Sequence, residues 1–202
     1  MQQRTEAHDS LDDFPTPPWA TRALLAEIRK RGWDLGLTCR EPAANRGHMV
    51  KPLREQFASV DAADIHDYGA GFPVQDFLFG PMPDQVDWSI TNPPFRLAEQ
   101  FIARMHATSS IGCAVLVRAA FLEGVNRHAS LFSRLPPRLI LQFTERVVMH
   151  RGRLSADGST ATAYCWLVWL RSNAAGCIPP VFGWIAPCRR KLEMTGDYTE
   201  AT

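Results

Sequence analysis

The stretch Thr91-Asn92-Pro93-Pro94-Phe95 carries the most specific chemistry in the chain. Two consecutive prolines hold the backbone in a rigid, extended turn, because each ring fixes φ and biases the preceding residue away from helix. Asn92 supplies an amide oxygen. The Pro93 carbonyl meets no competing amide at residue 94, which is also proline. Two acceptors are thereby aimed at one point, an arrangement that suits a planar NH2 group with two hydrogens to donate. Phe95 adds a ring able to stack on a planar base. Read alone, the turn also fits a purely structural strand end.

A second constellation lies upstream, in Cys39-Arg40-Glu41-Pro42-Ala43-Ala44-Asn45-Arg46-Gly47. An acidic residue ends a strand, small residues make a tight turn, and a helix follows. In open α/β sheets ligands sit beyond the carboxyl ends of the strands, where small residues allow close backbone approach. Asn or Gly supplies the positive φ that such a turn requires. Many strand–turn–helix units look alike, so the weight of this one comes from its place ahead of Asn92.

The elements that must position these residues alternate as in a βα-type sheet. Helical spacing runs from Pro18 to Arg31, with Thr16 as candidate cap. Strands are expected at 37–40, 59–63 and 86–91, the last stopped by the prolines. Helices are expected at 48–57 and 98–106. The near-continuous apolar run 111–119 reads as a strand covered on both faces, and 139–143 and 163–170 as two more. Phe143, Trp166 and Trp169 read as core packing. The expected fold is a single doubly wound α/β domain over residues 13–188. Residues 1–12 and 189–202 are expected to be flexible ends.

Composition narrows the class. No apolar run in the 202 residues reaches membrane-spanning length, and the polar first segment lacks a signal-peptide core. Five cysteines without close pairs argue against a disulfide framework or zinc site, and the histidines lack ligand spacing, so no metal is expected. Reduced thiols point to a cytoplasmic location, in a bacterial or phage-infected cell. Charge is uneven: residues 1–100 hold 10 Lys/Arg against 15 Asp/Glu, whereas residues 101–202 hold 12 against 6. Between residues 118 and 153, seven arginines face only Glu123 and Glu145. As a set they form a candidate phosphate-neutralising face, with Arg118, Arg146, Arg151 and Arg153 the named nucleic-acid contacts.

With these motifs in order, residues 13 to 170 resemble the S-adenosylmethionine-dependent adenine-N6 DNA methyltransferases, particularly the small phage- and prophage-type enzymes. The resemblance implies a Rossmann-like class I methyltransferase fold with a mostly parallel seven-stranded sheet. It matches the family's Phe-x-Thr-Pro to Phe14, Thr16 and Pro17 in the cofactor pocket. It matches the methionine-cradling turn to Glu41, Pro42, Ala43, Asn45 and Gly47, with Asn45 where a glycine is usual. Asp64 would hold the ribose hydroxyls and Ile65 would lie against the adenine ring. Asp61 and Asp67 compete for the ribose role. Asp76 and Phe77 would bind the cofactor's adenine amino group and ring face. Asn92, Pro93, Pro94 and Phe95 match the catalytic motif without departure, and Asn92 is expected to contact the cofactor as well.

The implied activity is methyl transfer from S-adenosylmethionine to N6 of a flipped-out adenine in DNA, without a metal. Similar N-P-P motifs serve RNA adenine and protein glutamine methyltransferases, and an inactive nucleic-acid-binding relic is a further alternative. No separate target-recognition domain is expected. The expected partner is therefore double-stranded DNA read with weak or short sequence preference, by a monomer or a homodimer.

Overall fold

The computed structural model describes residues 12–171 and 178–199. The chain forms α1 (Pro18–Lys30), β1 (Thr38–Glu41), α2 (Val50–Arg54), β2 (Ser59–Ala62), β3 (Val86–Thr91), α3 (Ala98–Ala107) and β4 (Ser109–Arg118). After a 3₁₀ turn come α4 (Val125–Arg127), β5 (Leu139–Phe143), β6 (Tyr164–Leu170), β7 (Val181–Ile185) and α5 (Arg189–Leu192). The seven strands form one sheet in the order β2-β1-β3-β4-β6-β5-β7. Only β6 runs against the rest, pairing antiparallel with both β4 and β5. The α/β class and the mostly parallel seven-stranded sheet are as expected.

Alternation along the central strands builds a core on each face. Ala114 and Leu116 of β4, with Trp166 and Val168 of β6, join the cluster under α1. Cys113, Val115 and Val117, with Cys165, Leu167 and Trp169, join the cluster under α3. A strand covered on both faces has no polar side to present, which is why residues 112–117 are all buried. Phe143, Trp166 and Trp169 are core residues, as expected.

Several local expectations are corrected. Thr16 does not cap α1: Pro17 holds that position without a side-chain hydrogen bond, and Thr16 is engaged elsewhere. The helix expected at 48–57 is regular only over Val50–Arg54, where Pro52 has no N–H to donate. The sequence pattern predicts six strands and omits β7, because an edge strand with exposed Val181, Phe182 and Trp184 around Gly183 has no buried alternation to read.

Residues 189–199, expected as a flexible end, instead pack against the domain. The buried Arg22 guanidinium of α1 donates to both oxygens of Glu55 and of Asp197, and to the Leu192 carbonyl. Nothing local in the sequence announces a pair 175 residues apart. Of the expected N-terminal flexible segment, residues 1–11 lie outside the described residues. Asp12 is described, and it touches the site.

Candidate active site

The strand order reverses between β1 and β3, and a cavity of about 330 Å³ opens beyond the carboxyl ends of these two strands. This is where the topology of an open parallel sheet leaves room for a ligand. Proline-containing segments from both strand ends meet there. Pro42, Ala43 and Asn45 form one wall, and Asn92 and Pro94 another. Phe14 and Thr16 close the site from the N-terminal side, and Asp64, Ile65, Asp76 and Phe77 from the connection after β2.

The turn after β1 works because Asn45 adopts φ 50°, the one positive φ at a non-glycine among the described residues. Its side chain stabilises that conformation: Oδ1 accepts from the Arg46 N–H, and Nδ2 donates to Asp13 Oδ1 at 2.8 Å. Gly47 follows at φ 84°, where a Cβ would also press on the Phe72 ring at 3.0 Å. The Asn45 N–H donates to Asp64 Oδ2 at 2.8 Å, tying the turn to the end of β2. Asp64 Oδ1 accepts from the His66 N–H, and the residue is buried. Its two rivals for the same role lie elsewhere. Asp61 pairs with Arg40, and Asp67 is exposed and accepts from the Gly69 N–H.

Five of the residues expected in the site do not line the cavity. Pro17 begins α1 and Pro93 is buried behind the turn. Gly47 shapes the backbone. Phe95 packs beside Phe14, with ring centroids 5.7 Å apart. Glu41 sits fully buried beneath the turn, where it accepts from the Thr91 hydroxyl and the Ala43 N–H. Burial pushes its carboxyl up to about 8, against those two hydrogen bonds. Sequence reasoning misses other lining residues: Asp12, His48, Met49, Tyr68, Leu97 and Phe101 among them. Burial, with Asp13 and Asp64 nearby, pushes the Tyr68 phenol up to about 12. No spacing rule ties Tyr68 to a turn more than twenty residues upstream.

The Asn92 amide has a defined orientation. Its Nδ2 donates to the Phe14 carbonyl at 3.1 Å and to Thr16 Oγ1 at 3.0 Å. A backbone carbonyl can only accept, so the nitrogen must be the atom facing Phe14. The oxygen therefore points the other way, buried and without a hydrogen-bond partner among the described residues. A buried unpaired acceptor costs about 1–3 kcal/mol, so its presence calls for an explanation. The next turn is pinned as well: the Phe95 N–H donates to Asp12 Oδ2 at 2.7 Å.

Of the four named arginines, Arg118 at the end of β4 lies nearest the motif, its guanidinium 3.9 Å from the Phe95 ring centroid and 5.6 Å from that of Phe14. Arg146, Arg151 and Arg153 are exposed on the segment after β5 and do not line the cavity. That segment is tied to the site through Gly152, whose N–H donates to the Asp13 carbonyl at 2.9 Å. Electrostatically the cavity is acidic. Asp12, Asp64 and Asp76 line it, and no lysine or arginine does.

No family model matches the sequence, and neither does any curated protein. Solved structures do share the fold. A modification subunit described with a type I restriction enzyme from Vibrio vulnificus YJ016 superposes over 89% of this chain with a TM-score of 0.57 and 19% identity. The type I restriction-modification methyltransferase subunit from Streptococcus thermophilus covers 79% with a TM-score of 0.50 and 10% identity. This chain spans only about half the length of each, 48% and 45%. Magnesium protoporphyrin IX methyltransferase from Synechocystis PCC 6803 with bound SAM covers 75% of this chain and 78% of its own length, with a TM-score of 0.52 and 14% identity. At these identities the likeness is one of fold.

Proposed function

We propose that this chain transfers a methyl group from S-adenosylmethionine to N6 of adenine in DNA. The observation that carries the reading is the Asn92 side chain, whose amide oxygen is oriented, buried and unpaired at the end of β3. It stands beside a cavity at the topological switch point of a fold shared with methyltransferases.

The residues present fit that cofactor. Three aspartates and no lysine or arginine line the cavity, which favours a ligand bearing positive charge and disfavours one bearing phosphates. Asp64 retains lone pairs beyond those used by Asn45 and His66, enough to accept from ribose hydroxyls. Phe77 offers an apolar wall for a ring. When bound, S-adenosylmethionine supplies an electrophilic methyl on a sulfonium, and the protein's task is orientation and exclusion of water.

On the acceptor side, Asn92 Oδ1 and the Pro93 carbonyl would accept the two hydrogens of the exocyclic amine and aim its nitrogen at the methyl. As the N–C bond forms the S–C bond breaks, S-adenosylhomocysteine is the leaving group, and the amine gives up one proton to solvent. An adenine in a duplex hides N6 in the stack, so the base must leave it. Phe95 and the Arg118 guanidinium provide flat faces beside the motif, and stacking of a base on an aromatic ring contributes about 1–3 kcal/mol.

The test is methylation of duplex DNA, single-stranded DNA and RNA with labelled cofactor, followed by mapping of the modified base. Label at adenine N6 in DNA is the expected result, and Asn92→Ala should abolish it while cofactor affinity in calorimetry stays within about threefold. Full activity in that variant, or label confined to RNA, would overturn the assignment.

A further inference from the structure

Thr16 lines the cavity, yet its hydroxyl is committed in another direction. Thr16 Oγ1 accepts from Asn92 Nδ2 at 3.0 Å and donates to Met149 Sδ at 3.7 Å. Met149 also lies 3.8 Å from Asn92 Nδ2. The three side chains come from positions 16, 92 and 149, and Thr16 and Met149 are both buried.

We infer that Thr16 and Met149 are positioning residues that fix the polarity of the Asn92 amide. A thioether has no proton to give, so within this contact the hydroxyl must be the donor toward Met149. With its proton directed there, Thr16 presents a lone pair to Asn92. The amide answers with its NH2, as it must also toward the Phe14 carbonyl. Two acceptor-only groups, one sulfur and one backbone oxygen, thus set the direction of the whole chain. The inverted amide would aim oxygen at oxygen on Phe14 and present a donor where an acceptor is needed. A hydroxyl left without the sulfur could turn its proton toward Asn92 and support the inverted form. The consequence for rate rests on the function proposed above; the clamp itself does not.

The test uses the full chain and two readings. The first is solvent exchange of the Asn92 side-chain NH2 in ¹⁵N-labelled protein, its signal identified by its loss in Asn92→Ala. The second is the single-turnover rate of methyl transfer to adenine-containing duplex DNA, alongside cofactor affinity. Thr16→Val keeps the shape and removes the hydroxyl. It should raise exchange and lower the rate by about tenfold each, the worth of one net hydrogen bond. Cofactor affinity should move far less, and Thr16→Ser should restore both readings to within about threefold.

Met149→Leu keeps a buried side chain of similar volume and removes the sulfur, the acceptor of the Thr16 hydroxyl and a neighbour of Asn92 Nδ2. It should shift the same two readings in the same direction, and it stands in should Thr16→Val fail to fold. Unchanged NH2 exchange in Thr16→Val or Met149→Leu overturns the clamp, whatever the activity. Wild-type protein that methylates no nucleic acid overturns the proposed function, and the exchange measurement then still decides the clamp.

Discussion

Glu41 shows how a single buried residue couples site and stability. Its carboxyl is held at about 8 against an ordinary 4.5, chiefly by burial. A group whose folded value is raised binds a proton in the native state that the unfolded chain has already released. The stability it contributes is complete below about 4.5 and is lost as pH rises through about 8. Glu41→Gln removes this titration and can still accept from Thr91 and Ala43. Urea midpoints measured from pH 5 to 9 should therefore fall for wild type relative to the variant as pH rises, whereas parallel curves would rule the burial effect out. Asn45 gives a second case. At φ 50°, Asn45→Ala adds about 1–2 kcal/mol of backbone strain and removes the side-chain hydrogen bonds to Asp13 and Arg46, whereas Asn45→Gly removes those bonds without the strain. Thermal unfolding should rank wild type above Asn45→Gly, and Asn45→Gly above Asn45→Ala.

The same two residues show what the sequence can and cannot say. That residue 45 needs left-handed geometry is legible, because a tight turn between strand and helix admits few residue types. That Glu41 lies beneath the cavity and not in its wall is not legible, because strand register decides it. Thr16 is the sharper example: proximity to a helix start suggests a cap, while its partners stand 76 and 133 residues away.

At the scale of elements, local periodicity identifies every strand with a buried face and misses β7, whose side chains are mostly exposed. It also misses the closing of α1 by the C-terminal segment. Arg22 uses all five guanidinium donors there, four of them on Glu55 and Asp197. A buried charge with one partner removed costs about 3–5 kcal/mol, far more than a surface pair. The Asp197 side chain is fully buried, so Asp197→Ala should destabilise by about that amount. Glu99→Ala, which breaks a pair with Arg127 that is part-exposed on both sides, should cost under about 1 kcal/mol. Denaturant unfolding of the two variants checks the contrast, and equal losses would mean that burial is not what gives the Arg22 pair its strength.

Across the whole molecule, charge is divided by position. The cavity wall is acidic, while the exposed arginines lie on the strand ends and loops beside it. That division suits a cationic small ligand within and a polyanion without. The two kinds of arginine should then behave differently. Arg151 and Arg153 are exposed, so if DNA is the substrate as proposed, their removal should weaken its binding about equally for all sequences. The double substitution to alanine should also flatten the dependence of log affinity on log salt by about one unit for each phosphate no longer neutralised. Arg118 is different, because its guanidinium lies over Phe95 and Phe14. Arg118→Lys keeps the charge and removes the planar stack. It should leave the salt slope of binding intact and lower the rate of methyl transfer. Titrations at several salt concentrations paired with single-turnover rates separate the two effects. A salt slope unchanged in the Arg151 and Arg153 double variant would remove that segment from the DNA-binding face. An unchanged rate in Arg118→Lys would show that only its charge matters.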